Sequence, residues 1–241
     1  MKTLLNTILL TLSIMVVGNS EAQNSISIAS YDGFNINARF YPSDVKAPGV
    51  LLLHQCDRRG ALSGLEDLAQ TLASAGAQVL IPDYRTYGGS VSDDFPSGDW
   101  QLAGSHSNRD VEAALDYLTK QQNTLADQIA VVGASCGGRY AINLATVNPQ
   151  VKALVFLSTL VGRASMETYE SLAHLPALSI VSEQDPNGAT TRTMQAVFTA
   201  GTHPANRLLT YKGAAHGAPL LQQDPSPGAL IAQWLMPFLA D

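Results

Sequence analysis

Cysteine is nearly absent from this chain: only Cys56 and Cys136 occur, each alone in its local sequence. With no C-x-x-C pair, a thiol-redox role has no motif to stand on. Charge is also scarce, at 14% of residues, and no cationic cluster exceeds the pair Arg58-Arg59. A net charge of −6 without a basic patch excludes nucleic acid as a partner. Histidine is limited to five residues, none paired at the spacing of metal ligands, and the acids do not gather around one. No metal and no cofactor are therefore expected.

The sequence has an apolar N-terminal stretch, Leu4 to Val17, preceded by Lys2 and followed by the small-x-small triplet Ser20-Glu21-Ala22. This is the make-up of an export signal, cleaved so that the mature chain begins near Gln23. A retained anchor is the alternative, but the stretch is shorter than the roughly 20 residues a span needs and is interrupted by Asn6, Thr7 and Thr11. No cysteine stands directly after it to carry a lipid. The expected location is periplasmic or secreted, with no membrane contact after cleavage, in a compartment where disulfides persist. Apolar residues make up 46% of the 241, enough for one sizeable core. No repeat, low-complexity tract or linker divides residues 23–241, which read as a single domain.

Strand-like and helix-like segments alternate along that domain. Ser25 to Ser30 and Asn35 to Tyr41, flanking Asp32-Gly33, read as an antiparallel hairpin. Gly49 to Leu53 is wholly apolar, as in a strand buried on both faces of a parallel sheet. Helical spacing over 62–75 ends at Gly76, and a strand over Ala77 to Ile81 stops at Pro82. A helix over 108–121 precedes the Ile129 strand, and further strands are expected over 153–157, 177–181 and 207–211 before a closing helix from about Gly228. This is an α/β order.

The most informative segment is Ile129-Ala-Val-Val-Gly-Ala-Ser-Cys-Gly-Gly138, an apolar strand breaking into Gly133-x-Ser135-x-Gly137. Such a turn holds a serine in a strained conformation at the strand end, and side chains at the two glycine positions would collide with the following helix. That helix, expected from about Arg139, points its first amides at the reacting centre. A serine hydroxyl is a weak nucleophile at neutral pH, so it needs a base, and the base needs an acid to hold its tautomer. His216 lies in a small-residue loop beyond the last strand, and Asp185 lies just beyond the strand ending at Val181, with Glu183 as the alternative acid. Cys136 itself is a second candidate nucleophile, because Ala134-x-Cys136-x-Gly138 satisfies the same small-residue rule one position along.

Over nearly its whole length from about residue 26, the chain resembles the α/β-hydrolase superfamily, and within it the small dienelactone-hydrolase-like and esterase group. The resemblance rests on Val50-Leu-Leu-Leu-His54, on Leu80-Ile-Pro-Asp-Tyr-Arg85 with Tyr87-Gly-Gly-Ser90, on the serine turn, and on Asp185 and His216 after late strands. It implies a mostly parallel central sheet with helices on both faces. The interval between the strands at 157 and 177 is too short for a large lid domain. It also implies a Ser135–His216–Asp185 triad with an oxyanion hole formed by the backbone N–H groups of Cys56 and Cys136.

This chain departs from its relatives where they commonly carry His-Gly: it has His54-Gln55-Cys56. His54, at the end of a buried strand, is expected to order that loop by hydrogen bonding. If both cysteine amides converge on one oxygen, the two cysteines are neighbours. Either they form a disulfide across the hole, or they fill space as buried thiols. Candidate pocket residues are Gln55, Arg58 and Trp100. Gln55 is read either as pocket wall or as solvent-facing, and the segment 88–107 either as overhanging the pocket or as a surface loop pinned by its aromatics. The implied activity is hydrolysis of a small-molecule carboxylic ester with small or medium groups. A non-catalytic binding protein on the same fold is the alternative.

Overall fold

The computed structural model describes residues 23–57 and 64–240. The expected signal segment and Arg58 lie outside the described residues, as does the side chain of Trp100.

The chain opens with β1(Asn24–Ala29) and β2(Asn35–Tyr41), an antiparallel hairpin in which Ile28 faces Ile36 across the ladder. Its turn passes through Gly33, whose φ of 84° favours glycine. In β2 Ile36, Ala38 and Phe40 are buried in alternation, which commits one face of the hairpin to the core. β2 then pairs antiparallel with β4(Gln78–Pro82).

The rest of the sheet is parallel. β3(Ala47–Leu53), β4, β5(Thr124–Ala134), β6(Val151–Leu157), β7(Ala177–Ser182) and β8(Arg207–Tyr211) complete eight strands in the order β1-β2-β4-β3-β5-β6-β7-β8. Every residue of β3 is buried because both faces are covered. Leu51, Leu53, Val131 and Phe156 pack under α2(Trp100–Thr119), α3(Cys136–Val147), α4(Arg163–Glu170) and α5(Gly188–Ala200). Their strand neighbours Val50, Leu52, Val132 and Val155 pack against α1(Leu65–Ser74) and α7(Ser226–Leu235) on the other side. The short α6(Leu220–Gln223) and a 3₁₀ turn over Met236–Leu239 complete the chain.

From β3 the chain steps to β4 on one side and then to β5 on the other, so the sheet order reverses between β3 and β5. At such a switch point the connections leave in opposite directions and open a crevice at the carboxyl ends of the strands. Residues 54–56 and Ser135 emerge there.

Three expectations need correction. The helix expected over 108–121 begins earlier, at Trp100, because the Asp99 carboxylate accepts from the N–H groups of Gln101 and Leu102 and caps it. The polar run Ser105 to Asn108 hides this helix, since the buried face uses Ser107 and Asp110. The helix after Ser135 starts at once, at Cys136 rather than Arg139. α4 and α5 were not anticipated; α5 carries a readable signal in its Asn187 cap and in buried Thr190, Met194 and Val197 at helical spacing.

Candidate active site

Ser135 joins β5 to α3 with φ 51° and ψ −115°, a conformation few non-glycine residues adopt. Two neighbours permit it. A Cβ at Gly133 would strike the backbone of Gly138, and one at Gly137 would strike the Leu53 carbonyl at the end of β3. The second contact shows why position 137 must be small: α3 leans on β3, not only on its own strand.

The His216 Nε2 lies 2.9 Å from Ser135 Oγ, and its Nδ1 lies 2.9 and 3.0 Å from the two Asp185 carboxylate oxygens. With Nδ1–H donated to the carboxylate, Nε2 is left to accept the serine hydroxyl proton. The Asp185 side chain is fully buried, and its carboxylate also accepts the Asn187 N–H at 3.0 Å. Ser182 Oγ donates to the Ala215 carbonyl, which ties the acid loop to the histidine loop. Glu183, the alternative acid, is exposed and His216 pairs with Asp185 instead.

The loop after β3 is fixed by three consecutive side chains. His54 is fully buried; its Nδ1–H donates to the Gln55 carbonyl and its Nε2 accepts the Tyr84 N–H, while the Tyr84 hydroxyl donates to the His54 carbonyl. Burial pushes the His54 pKa down to about 4, so the ring stays neutral and keeps this tautomer. Gln55, read as pocket wall or solvent-facing, does not face solvent: it is 3% exposed, and its Oε1 accepts the Ala218 N–H at 2.9 Å, two residues beyond His216. Its amide nitrogen donates to Asp57. Cys56 is joined to Cys136 by a disulfide, with Cα atoms 5.8 Å apart. Bonded in this way, Cys136 has no thiol to serve as a nucleophile.

A cavity of about 440 Å³ lies against the disulfide, lined by Cys56, Tyr87, Gln101, Ala103, Gly104, Arg139 and Tyr140. The start of α2 therefore borders this cavity, while Phe95 packs on Phe34 and over the Arg85 guanidinium. Arg139 was read from the sequence only as a helix start, although its place four residues after Ser135 puts it one helical turn from the serine. The remaining histidines lie elsewhere: His106 packs between Tyr31 and Phe95, His203 packs on Phe238, and His174 is exposed. Among the described residues no group of three or more His, Cys, Asp or Glu is placed to hold a metal ion, and no helix is long and apolar enough to cross a membrane.

The sheet order, the N-terminal hairpin and the strand-turn-helix at Ser135 define an α/β-hydrolase fold. The chain belongs to the dienelactone hydrolase family, whose model matches residues 37–225. Its fold is similar to that of a dienelactone hydrolase from Anabaena variabilis, with a TM-score of 0.71 and 19% identity over 92% of this chain and 100% of that one. A Pyrococcus furiosus esterase is as similar in fold, with a TM-score of 0.71 and 17% identity over 93% and 96% of the two chains. In sequence the chain is 25% identical over 215 residues to a cutinase of Thermobifida alba, covering 86% of this chain and 65% of the cutinase. The chain spans about half to two thirds of the length of the curated relatives it matches.

Proposed function

We propose that this protein is an exported serine hydrolase that cleaves carboxylic esters of small or medium size through an acyl-enzyme. The observation that carries the reading is the unbroken hydrogen-bonded line from Ser135 through His216 to Asp185 at the switch point of the sheet. His216 takes the hydroxyl proton as Ser135 attacks the ester carbonyl, and the buried Asp185 carboxylate steadies the imidazolium that forms. The oxyanion meets the N–H of Cys136, which as the first residue of α3 has no intrahelical acceptor, and the N–H of Cys56. His216 then returns the proton to the leaving alcohol, and water activated by the same imidazole releases the acid.

The named relatives include an esterase and a cutinase, in keeping with ester chemistry. Export is supported by the signal-like residues 1–22 and by a disulfide of the kind that oxidising compartments sustain. The cavity beside the disulfide is apolar along Ala103, Gly104 and the two tyrosines, and suits the hydrocarbon part of the ester.

The test is hydrolysis of 4-nitrophenyl esters from acetate to palmitate by the chain from Gln23 onward, beside Ser135→Ala. The variant is expected to lose at least about a thousandfold in kcat/KM with its melting temperature little changed. Equal activity in both proteins would refute the serine mechanism.

A further inference from the structure

We infer that the Cys56–Cys136 disulfide is a positioning device for the oxyanion hole, holding its two backbone donors at a fixed separation so that breaking it lowers turnover and leaves substrate binding in place. The inference rests on the serine mechanism above, since the hole matters only where an acyl oxygen becomes an oxyanion.

The bond adds little to what already aligns its strands. β3 and β5 pair directly through a parallel ladder that runs to Leu53 and Gly133, a few residues short of the cysteines. What the ladder leaves free is the chain beyond it, residues 54–56 on one side and the Ser135 turn on the other. His54 and Gln55 secure the first part of that loop through Tyr84 and Ala218. Against α3 the loop has packing of Gly137 on the His54 carbonyl and a 3.8 Å contact between the Tyr140 hydroxyl and Cys56 Sγ, neither of which fixes a separation as a covalent bond does. The disulfide alone joins Cys56 covalently to the residue that carries the other donor, across 80 positions of sequence.

Oxyanion stabilisation depends on donors already aimed at the transition state, so that no reorganisation is needed at the moment of reaction. A glycine-bearing loop can adopt its shape through backbone freedom, but it is not rigid. Here a covalent bond supplies the rigidity. Cys136 is nearly buried, whereas Cys56 is partly exposed and borders the cavity, so a small dithiol can reach the bond. Such a reductant would give two electrons and two protons to the sulfurs, close its own disulfide and leave Cys56 and Cys136 as thiols.

The experiment compares wild type, the double variant Cys56→Ala/Cys136→Ala, and wild type reduced by dithiothreitol in native buffer and verified to hold two thiols. Ser135→Ala is run beside them. All are assayed on 4-nitrophenyl acetate well below their melting temperatures, and each is titrated with phenylboronic acid, whose tetrahedral adduct mimics the oxyanion.

Both disulfide-free forms are expected to lose about ten- to a hundredfold in kcat, up to the lower end of the roughly hundred- to thousandfold cost of removing one oxyanion donor outright, because the donors are loosened rather than lost. KM should stay within about twofold, and boronate inhibition should weaken in parallel with kcat. An unchanged kcat in either folded, disulfide-free form, with Ser135→Ala inactive, overturns this inference and leaves the serine mechanism standing. A loss carried by KM alone overturns it in the same way. If both forms unfold, the bond is a structural staple and the inference fails. Full activity in Ser135→Ala removes the serine mechanism and this inference together.

Discussion

His54, Gln55 and Cys56 are consecutive residues held by three different elements: the start of the segment after β4, the histidine loop and the first residue of α3. Each tie uses a different chemistry, and the imidazole tie is sensitive to acid. Folding lowers the His54 pKa from 6.5 to about 4 because the buried site cannot solvate an imidazolium. The unfolded chain therefore binds more protons between those values. The associated stability is complete above about pH 6.5 and falls as the pH drops towards about 4, by a total on the order of 3 kcal/mol. Thermal melting from pH 7.5 to 4 should show this decline, and His54→Gln, which has nothing to protonate, should show a shallower one. Equal slopes would remove His54 from the account.

At the scale of the element, α2 matters because it starts eight residues before the sequence periodicity shows it. Its first turn brings Gln101, Ala103 and Gly104 over the cavity. Gly104 has open space where a Cβ would stand, so a larger side chain there can enter the cavity without disturbing the helix contacts. Gly104→Phe is expected to cut activity on octanoate esters by tenfold or more, roughly the one to two kcal/mol that hydrophobic pocket contacts carry. Activity on acetate should stay within about threefold. A chain-length profile identical to wild type would place the substrate elsewhere.

For the whole molecule, the hairpin is joined to the parallel sheet by a buried ionic cluster as well as by β2. The Arg85 guanidinium is fully buried and bonds both carboxylate oxygens of Asp110 on α2 and both of Asp32 in the hairpin turn. Ser30 Oγ donates to the same Asp110. Arg85→Ala would strand the fully buried Asp110 carboxylate, and breaking a buried pair from one side costs about 3–5 kcal/mol. Chemical denaturation should show a loss of that size, while Arg85→Ala/Asp110→Ala should recover part of it. A loss below about 1 kcal/mol would mean that the cluster is idle.

Much of this was legible in the chain. The central β strands announced themselves as apolar runs and the hairpin strands as alternation, and the glycines around Ser135 marked a turn that only small residues permit. Asp185 and His216 followed strand ends in the order a hydrolase requires. All of these are local signals, set by alternation, turn sterics and the few residues on either side. The pairing of His216 with Asp185 rather than Glu183, the turning of Gln55 towards Ala218, the place of α2 beside the cavity and the approach of Cys56 to Cys136 were not local. Each depends on how loops from strands distant in sequence meet at the point where the sheet reverses its order. Side-chain direction beyond a strand end is set by those neighbours. The sequence thus determined the fold and the candidate residues, and the tertiary structure decided which of them face one another.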